Sequence, residues 1–394
     1  MEQFDFTTLI NRGNAGAVKW QRRTQQEKDA HIIALSIADM ELPVAPCIRE
    51  AIIRAADGVY GYTNPDEPYF AAVRGWMERR HHWSGIQNDW IVCTNGVVPA
   101  LNFAIRAFTK PGEGVMIQPP VYGPFAKSIL TNERLLVENS LVFDDTGYHM
   151  DFDDFESKAA DPNTKLFLLC SPHNPVARIW KRNELERIAE ICLKHHVLLV
   201  SDEIHGDFDY DGKHITMATV SPDIANNCII CTSTGKTFNL AGLQLSNTII
   251  PNPVLREQFR NQISITGCSN IPYFGYAATI AAYNDGEPWF DALLKHLRDN
   301  ADYLEEFLTA HFPQVRLFPL EGTYLAWMDW RSLGLSPEEL AIFMRKKAGL
   351  ILGEGTMFGK QGAGFERINL AAPRAIICDA LERLRVAAKS EGLI

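Results

Sequence analysis

The chain has 394 residues, 46% of them hydrophobic, enough to bury a large core and more than one lobe. Acidic residues number 48 and basic residues 38, and the formal net charge of −10 argues against a nucleic-acid surface. No run approaches the roughly 18 apolar residues of a membrane span, and the opening MEQFDFTTLINRGN lacks the basic and apolar parts of a signal peptide, so the cytoplasm is the expected location.

The first stretch, to about residue 45, has no strong period and is expected to wrap onto a later part of the fold. From about residue 90 short apolar runs alternate with amphipathic segments. WIVCT precedes VVPALNFAIRAF, GVMIQPP follows, KLFLLCSP precedes ELERIAEICLKHH, and VLLVSDE and NCIICTS come next. This alternation predicts crossover units and an α/β fold with a mainly parallel sheet, and the continuous apolarity predicts strands covered on both faces. The pattern changes after NDGEPW, residues 284–289. A long helix (FDALLKHLRDNADYLEEFLTAHF), a strand (TYLAWMDW), a helix (SPEELAIFMRKKA), short strands near LILG and ERINLA, and a last helix from Ile376 predict a smaller α+β lobe. The expected division is a large domain over residues 46–286 and a small domain made of residues 1–45 and 287–394.

Eight cysteines are scattered in apolar surroundings and read as buried thiols. In CIIC, the odd spacing sends Cys228 and Cys231 to opposite strand faces, and no second pair accompanies them, so no metal is expected. RRHHW, residues 79–83, reads as a solvated helix end. The glycines of GEGTMFG, residues 353–359, are wrongly spaced for a dinucleotide fingerprint, which weakens a nicotinamide reading.

In an open parallel sheet, ligands bind beyond the carboxyl ends of the strands. Three such ends carry polar residues: Asn174 in SPHNP, Asp202 in SDEIH, and Lys236 in TSTGK. Each has an ordinary explanation: a turn former, a helix cap, and a hairpin with a solvated charge. Together, on successive strands, they point to chemistry. Gly96 in CTNGVVPAL opens an amphipathic helix whose first-turn N–H groups either serve a plain strand-to-helix turn or bind an anion. An amine, a carboxylate, an amide and a phosphate site suit pyridoxal 5'-phosphate, whose ring acts as an electron sink.

With these residues in view, the chain resembles the fold-type I pyridoxal-phosphate enzymes, and among them the MalY/PatB-type carbon-sulfur lyases within the class I/II aminotransferases. The resemblance runs through VKWQRR, IADMELP, VYGYTNPDEPYFAAVRGWM, TNGVVPAL, QPPVYGPF, SPHNPVARIW, SDEIHGDF, GKTFNLAGLQLSN and GEGTMFGKQGAGFERINLAAPR. It implies a seven-stranded sheet of the aspartate aminotransferase kind. It further implies that Lys236 is the Schiff-base lysine, that Asp202 partners the pyridine nitrogen, that Asn174 binds the ring oxygen and that Tyr122 stacks on the ring. Gly96, Val97, Val98 and Ser233 are implied around the phosphate, with His205 of SDEIH at the cofactor as in the lyase group. Tyr62 is implied to reach the phosphate of a neighbouring subunit, making a homodimer, and Arg374 of AAPR to clamp the substrate carboxylate.

Three positions depart from related sequences: Gly235 where serine is common, Ala177 where glycine is usual, and Gln244 where many aminotransferases have arginine. The implied reaction is β-elimination from a cystathionine- or cysteine-like amino acid, giving pyruvate, ammonia and a thiol. The alternative is transamination to a 2-keto acid. A binding protein that has kept the fold is disfavoured by Lys236, Asp202 and Arg374 occurring together.

Overall fold

The computed structural model describes residues 4–13, 15–21, 23–29 and 31–394. Seven strands form the main sheet: β1 Ile91–Thr94, β2 Gly114–Ile117, β3 Leu135–Glu138, β4 Thr164–Cys170, β5 Leu198–Asp202, β6 Cys228–Thr232 and β7 Ser246–Ile249. Their spatial order is β1-β7-β6-β5-β4-β2-β3. Every neighbouring pair is parallel except those of β7, which is antiparallel to β1 and β6. The mainly parallel sheet expected from the alternating text is therefore present.

Strands buried on both faces must be apolar on both, and β4 shows how. Leu166, Leu168 and Cys170 enter one core, Phe167 and Leu169 the other. Cys228 and Cys231 likewise divide between the two cores, as their odd spacing requires. Helices α1 Pro46–Ala56, α2 Glu67–His81, α3 Val97–Phe108, α4 Pro124–Thr131, α5 Arg182–Lys194, α6 Pro253–Thr266 and α7 Tyr273–Asp285 form the outer layers. Residues of α3, α4 and α6 build the core on one side, and those of α1, α2, α5 and α7 the core on the other. Each large apolar side chain so buried contributes about 1.5–3 kcal/mol.

A second sheet follows, with β8 Arg316–Leu317, β9 Leu325–Asp329, β10 Gly353–Glu354 and β11 Phe365–Asn369 in the antiparallel order β8-β9-β11-β10. It packs with α8 Glu287–His311 and α9 Arg374–Ser390 around a separate core that includes Leu304, Leu308, Ile368, Ile377 and Leu381. The start of the chain joins this lobe, because Ile33–Ala34 pairs in parallel with Leu350–Ile351.

Residues 36–42 then cross toward the large sheet as a strap. Asn369 Nδ2 donates to the carbonyls of Ile37 and Asp39 at 2.7 and 2.8 Å, and Asn239 Nδ2 donates to that of Met40 at 3.1 Å. Beneath the strap the buried Lys19 ammonium meets Asp39 Oδ1 at 2.7 Å and Glu41 Oε1 at 2.9 Å, while Arg12 meets the same two carboxylates. Removing one member of such a buried set costs about 3–5 kcal/mol, because the remaining charge is stranded.

Two local expectations change. The end of α2 is not simply solvated: Arg79 and His82 are exposed, but Trp83 is buried and the His81 side chain is only 8% exposed. His82 adopts φ +54° as the C-cap, which swings the chain so that Trp83 turns inward. Lys236, whose ordinary reading is a solvated charge in a hairpin, lies instead half-buried in one helical turn, Thr234–Thr237, capped by Ser233 Oγ accepting from the N–H of Gly235 at 2.9 Å.

Candidate active site

At the carboxyl ends of β4, β5 and β6 lies a cavity of about 230 Å³. The strand-to-helix geometry of the sheet brings Asn174, Asp202 and Lys236 to its wall, and the start of α3 brings Gly96, Val97 and Val98. Tyr122, His205 and Ser233 line it as well. Nine of the eleven residues singled out from the sequence therefore converge on one space.

Lys236 is half-buried, and its Nζ donates to the carbonyl of Ala38 on the strap at 2.5 Å. Burial disfavours the ammonium and lowers the pKa from 10.5 to about 8, with Asp39 opposing the shift and Arg367 adding to it. Asp202, at the end of β5, accepts from the N–H of Ile204 at 3.2 Å. Burial raises its pKa to about 7, against the pull of that N–H and of Lys236. A carboxylate this poorly satisfied is a ready partner for a protonated ring nitrogen. The His205 imidazole, buried and facing the Lys236 and Arg367 cations, is held well below its usual pKa and is neutral. Its Nδ1 has no partner among the described residues.

Gly96 has φ +107°, a conformation that side chains rarely adopt, and it turns β1 into α3 so that the free first-turn N–H groups border the cavity. Ser233 donates its hydroxyl to the carbonyl of Leu245 at 2.8 Å. Gln244, which stands where many aminotransferases have arginine, lines the same end, so this end offers neutral donors and no guanidinium. Ala177 has φ +59°, the left-handed region where glycine is at ease, which accounts for glycine being usual there.

Two expected residues lie elsewhere. Tyr62 is 96% exposed on the stretch 58–63, beside exposed Val59 and Tyr60. Arg374 is not at the site, a correction to its expected role. As the first residue of α9 it turns outward, where its guanidinium donates to the carbonyl of Asp299 and lies 4.8 Å from the centre of the Tyr303 ring.

The arginine that does reach the site is Arg367 on β11. It is 5% exposed, donates through Nη1 to Asn174 Oδ1 at 2.7 Å, and bonds the carbonyl of Ser36 through Nη2. Its Nε has no partner among the described residues, and burial lowers its pKa to about 10. The signal was present in ERINLA: on a strand of period two, Arg367 and Asn369 share a face with Phe365, opposite Ile368. Polar residues on an inward face are a better mark of a site than an arginine after a proline. Tyr324 was also missed; its hydroxyl donates to the carbonyl of Ala38 at 3.0 Å, beside Lys236.

The donor set fits pyridoxal 5'-phosphate on the grounds just given: a half-buried amine of lowered pKa, a buried carboxylate of raised pKa, and a glycine-opened helix N-terminus around one cavity. Fold and site together define a pyridoxal-phosphate enzyme of the α/β, two-lobed kind.

The chain belongs to the aminotransferase class I and II family, which matches residues 30–384. It is 39% identical to cystathionine beta-lyase PatB of Bacillus subtilis (strain 168), over 94% of this chain and 96% of that protein. It is 32% identical to protein MalY of Escherichia coli (strain K12), over 94% and 95%. The crystal structure of cystalysin from Treponema denticola, which contains a pyridoxal 5'-phosphate cofactor, superposes with a TM-score of 0.95 at 42% identity, covering 99% of this chain and all of that one.

Proposed function

We propose that this chain is a pyridoxal-phosphate-dependent carbon-sulfur β-lyase that acts on cystathionine- or cysteine-like amino acids. Its products are pyruvate, ammonia and a thiol. The observation that carries the reading is Lys236: an amine made less basic by burial, on the cavity wall with Asp202. The relatives named above supply the reaction class.

When bound, the cofactor holds the substrate's amine and takes up the electron pair released as Cα loses its proton. Lys236 removes that proton, and with a pKa of about 8 it is neutral often enough near pH 7 to do so. Asp202 keeps the ring nitrogen protonated. Asn174 donates through its amide to the ring oxygen while its Oδ1 engages Arg367. Tyr122 stacks on the ring, and His205, being neutral, adds no charge beside it. Gly96, Val97, Val98 and Ser233 hold the phosphate. Arg367 takes the substrate carboxylate, since a guanidinium fork matches two carboxylate oxygens. With Cα so held, the thiolate departs from Cβ, and the 2-aminoacrylate that remains takes up water after release to give pyruvate and ammonia.

The functional unit is a homodimer in which Tyr62 of the partner subunit reaches the phosphate. Its support is the exposed apolar stretch of Val59, Tyr60 and Tyr62. The division into residues 46–286 against 1–45 plus 287–394 is supported by the separate core to which Ile33 and Leu35 contribute. Cytoplasmic residence accords with eight free cysteines. Among the described residues, no helix is long and apolar enough to cross a membrane.

The test is L-cystathionine given to the cofactor-loaded protein with and without a keto acid. Pyruvate and free thiol without the keto acid are expected. Turnover that requires the keto acid would make the enzyme a transaminase, and silence across an amino-acid panel would end the reading.

A further inference from the structure

Behind the helical turn that carries Lys236 lies a polar group that the reaction described above does not use. Asp207, five residues beyond Asp202, does not line the active cavity. Its carboxylate is nevertheless almost fully enclosed, at 8% exposure. Three side chains hold it: Trp76 Nε1 donates to Oδ1 at 2.9 Å, His81 Nε2 meets Oδ1 at 2.7 Å, and the Thr237 hydroxyl donates to Oδ2. Trp76 and His81 both come from α2, so a helix of the outer layer is tied through one carboxylate to the residue that follows Lys236.

A buried carboxylate normally costs stability unless it is paired and fully hydrogen-bonded. Here burial would raise the Asp207 pKa, yet His81, Thr237 and Trp76 hold it below the usual range. Asp207 in turn raises that of His81 against burial, which favours an imidazolium beside the carboxylate. The remaining charged and titratable groups around them are Glu203, which acts on His81 from β5's end, and Arg79, Arg80, Asp209, His214 and Glu287, which line a cavity of about 200 Å³ with the pair. That cavity shares no lining residue with the active one.

The other side of the Lys236 turn is held separately. Asn239 accepts from the N–H of Met40 at 2.9 Å, on the strap whose Ala38 carbonyl receives the lysine ammonium. The turn is thus pinned between the strap and Asp207, and only the second attachment depends on a charge pair. A short helical turn has few backbone bonds of its own, so such side-chain anchors decide where its side chains point.

We propose that Asp207 is a positioning residue for the reaction: fixed by His81 and Trp76, it holds Thr237 and thereby aims the neighbouring Lys236 at the substrate's Cα. The inference rests on Lys236 being the cofactor-bound base. It assigns His81, in a stretch that reads from sequence as a solvated helix end, the task of keeping Asp207 charged and in place.

The experiment uses the holoenzyme and the isosteric pair Thr237→Val and Thr237→Ser, with Asp207→Asn as a second line. Two readouts accompany turnover: the pH midpoint of the cofactor's visible absorption without substrate, which reports the lysine's environment, and the thermal midpoint. Thr237→Val is expected to move the absorption midpoint by about half a pH unit or more. It should lower kcat by about tenfold with KM changed less than about twofold, the mark of lost alignment with binding retained. Thr237→Ser should restore both. Asp207→Asn should resemble Thr237→Val, and the double variant should lose little more than either alone, because both break one link. The proposal is overturned if Thr237→Val leaves absorption and kcat unchanged, if only the thermal midpoint falls, if serine fails to rescue, or if the two losses multiply. A wild-type holoenzyme lacking a lysine-dependent absorption would instead refute the assignment of Lys236.

Discussion

Arg367 and Asn174 meet across the two lobes, Nη1 to Oδ1 at 2.7 Å, although 193 residues separate them in the chain. One group belongs to the small sheet and the other follows β4 of the large sheet, so the bond ties the second sheet to a residue on the cavity wall. It also leaves the guanidinium partly committed before any substrate arrives.

If Arg367 receives the carboxylate, Arg367→Met should lower kcat/KM by about 10²-fold, mostly through KM, as expected for losing charge-assisted hydrogen bonds worth about 1.5–3 kcal/mol each. Arg374→Ala should leave KM within about twofold of the parent, since that side chain caps an outward contact with Asp299 and Tyr303. Steady-state kinetics of the two variants side by side decide between the arginines. The reverse order would restore Arg374 to the role first expected of it.

If Lys236 is the Schiff-base lysine, its lowered pKa should govern how fast the free chain takes up its cofactor. Only the neutral amine attacks an aldehyde, so the uptake rate by stopped-flow absorbance should rise with pH and level off near the amine's pKa of about 8. An ordinary lysine would keep gaining rate toward 10.5. A profile still climbing at pH 10 would contradict the burial argument.

Asp202 carries a stability cost in the cofactor-free chain. Its folded pKa of about 7 stands above the ordinary value of 3.8, so between these two pH values the folded state binds more protons than the unfolded one. Its contribution to stability therefore falls as pH rises through that window and is lowest above about pH 7. Asp202→Asn, which cannot ionise, should make the cofactor-free protein more stable at pH 8 by on the order of a few kcal/mol, and by much less at pH 4. Urea unfolding of both proteins at the two pH values measures the difference. Equal gains at both would show that ionisation is not the cause.

The exposure of Tyr62 predicts shared sites. A Lys236→Ala protein and a Tyr62→Phe protein, each impaired alone, should regain activity when mixed, unfolded and refolded together. Half of the dimers would be mixed and each would hold one intact site, so recovery should approach about a quarter of the parent's activity. No recovery beyond the sum of the parents would mean that Tyr62 serves its own subunit.

Much of this molecule was open to reading along the chain. The alternation of short apolar runs with amphipathic segments declares covered parallel strands, because a strand buried on both faces has no polar face to show. Asn174, Asp202 and Lys236 were legible because each stands at a strand's carboxyl end, and sheet geometry gathers such ends. Gly96 was legible because the turn from β1 into α3 needs positive φ. The choice between Arg367 and Arg374 was not legible by the same means. Seven residues apart and in one motif, they differ in which way the backbone presents them, the first from the inward face of β11, the second from the outer start of α9.

What the sequence by itself determined, then, is the local and periodic part: which segments are strands, where they end, and which polar residues interrupt them. Packing decided the rest. Whether a charged side chain at a helix end meets water or a buried carboxylate, as His81 meets Asp207, depends on an element 126 residues away along the chain. Such meetings depend on the folded arrangement of whole layers, because hydrogen bonds and charge pairs act over a few ångströms of space, whatever the distance along the sequence.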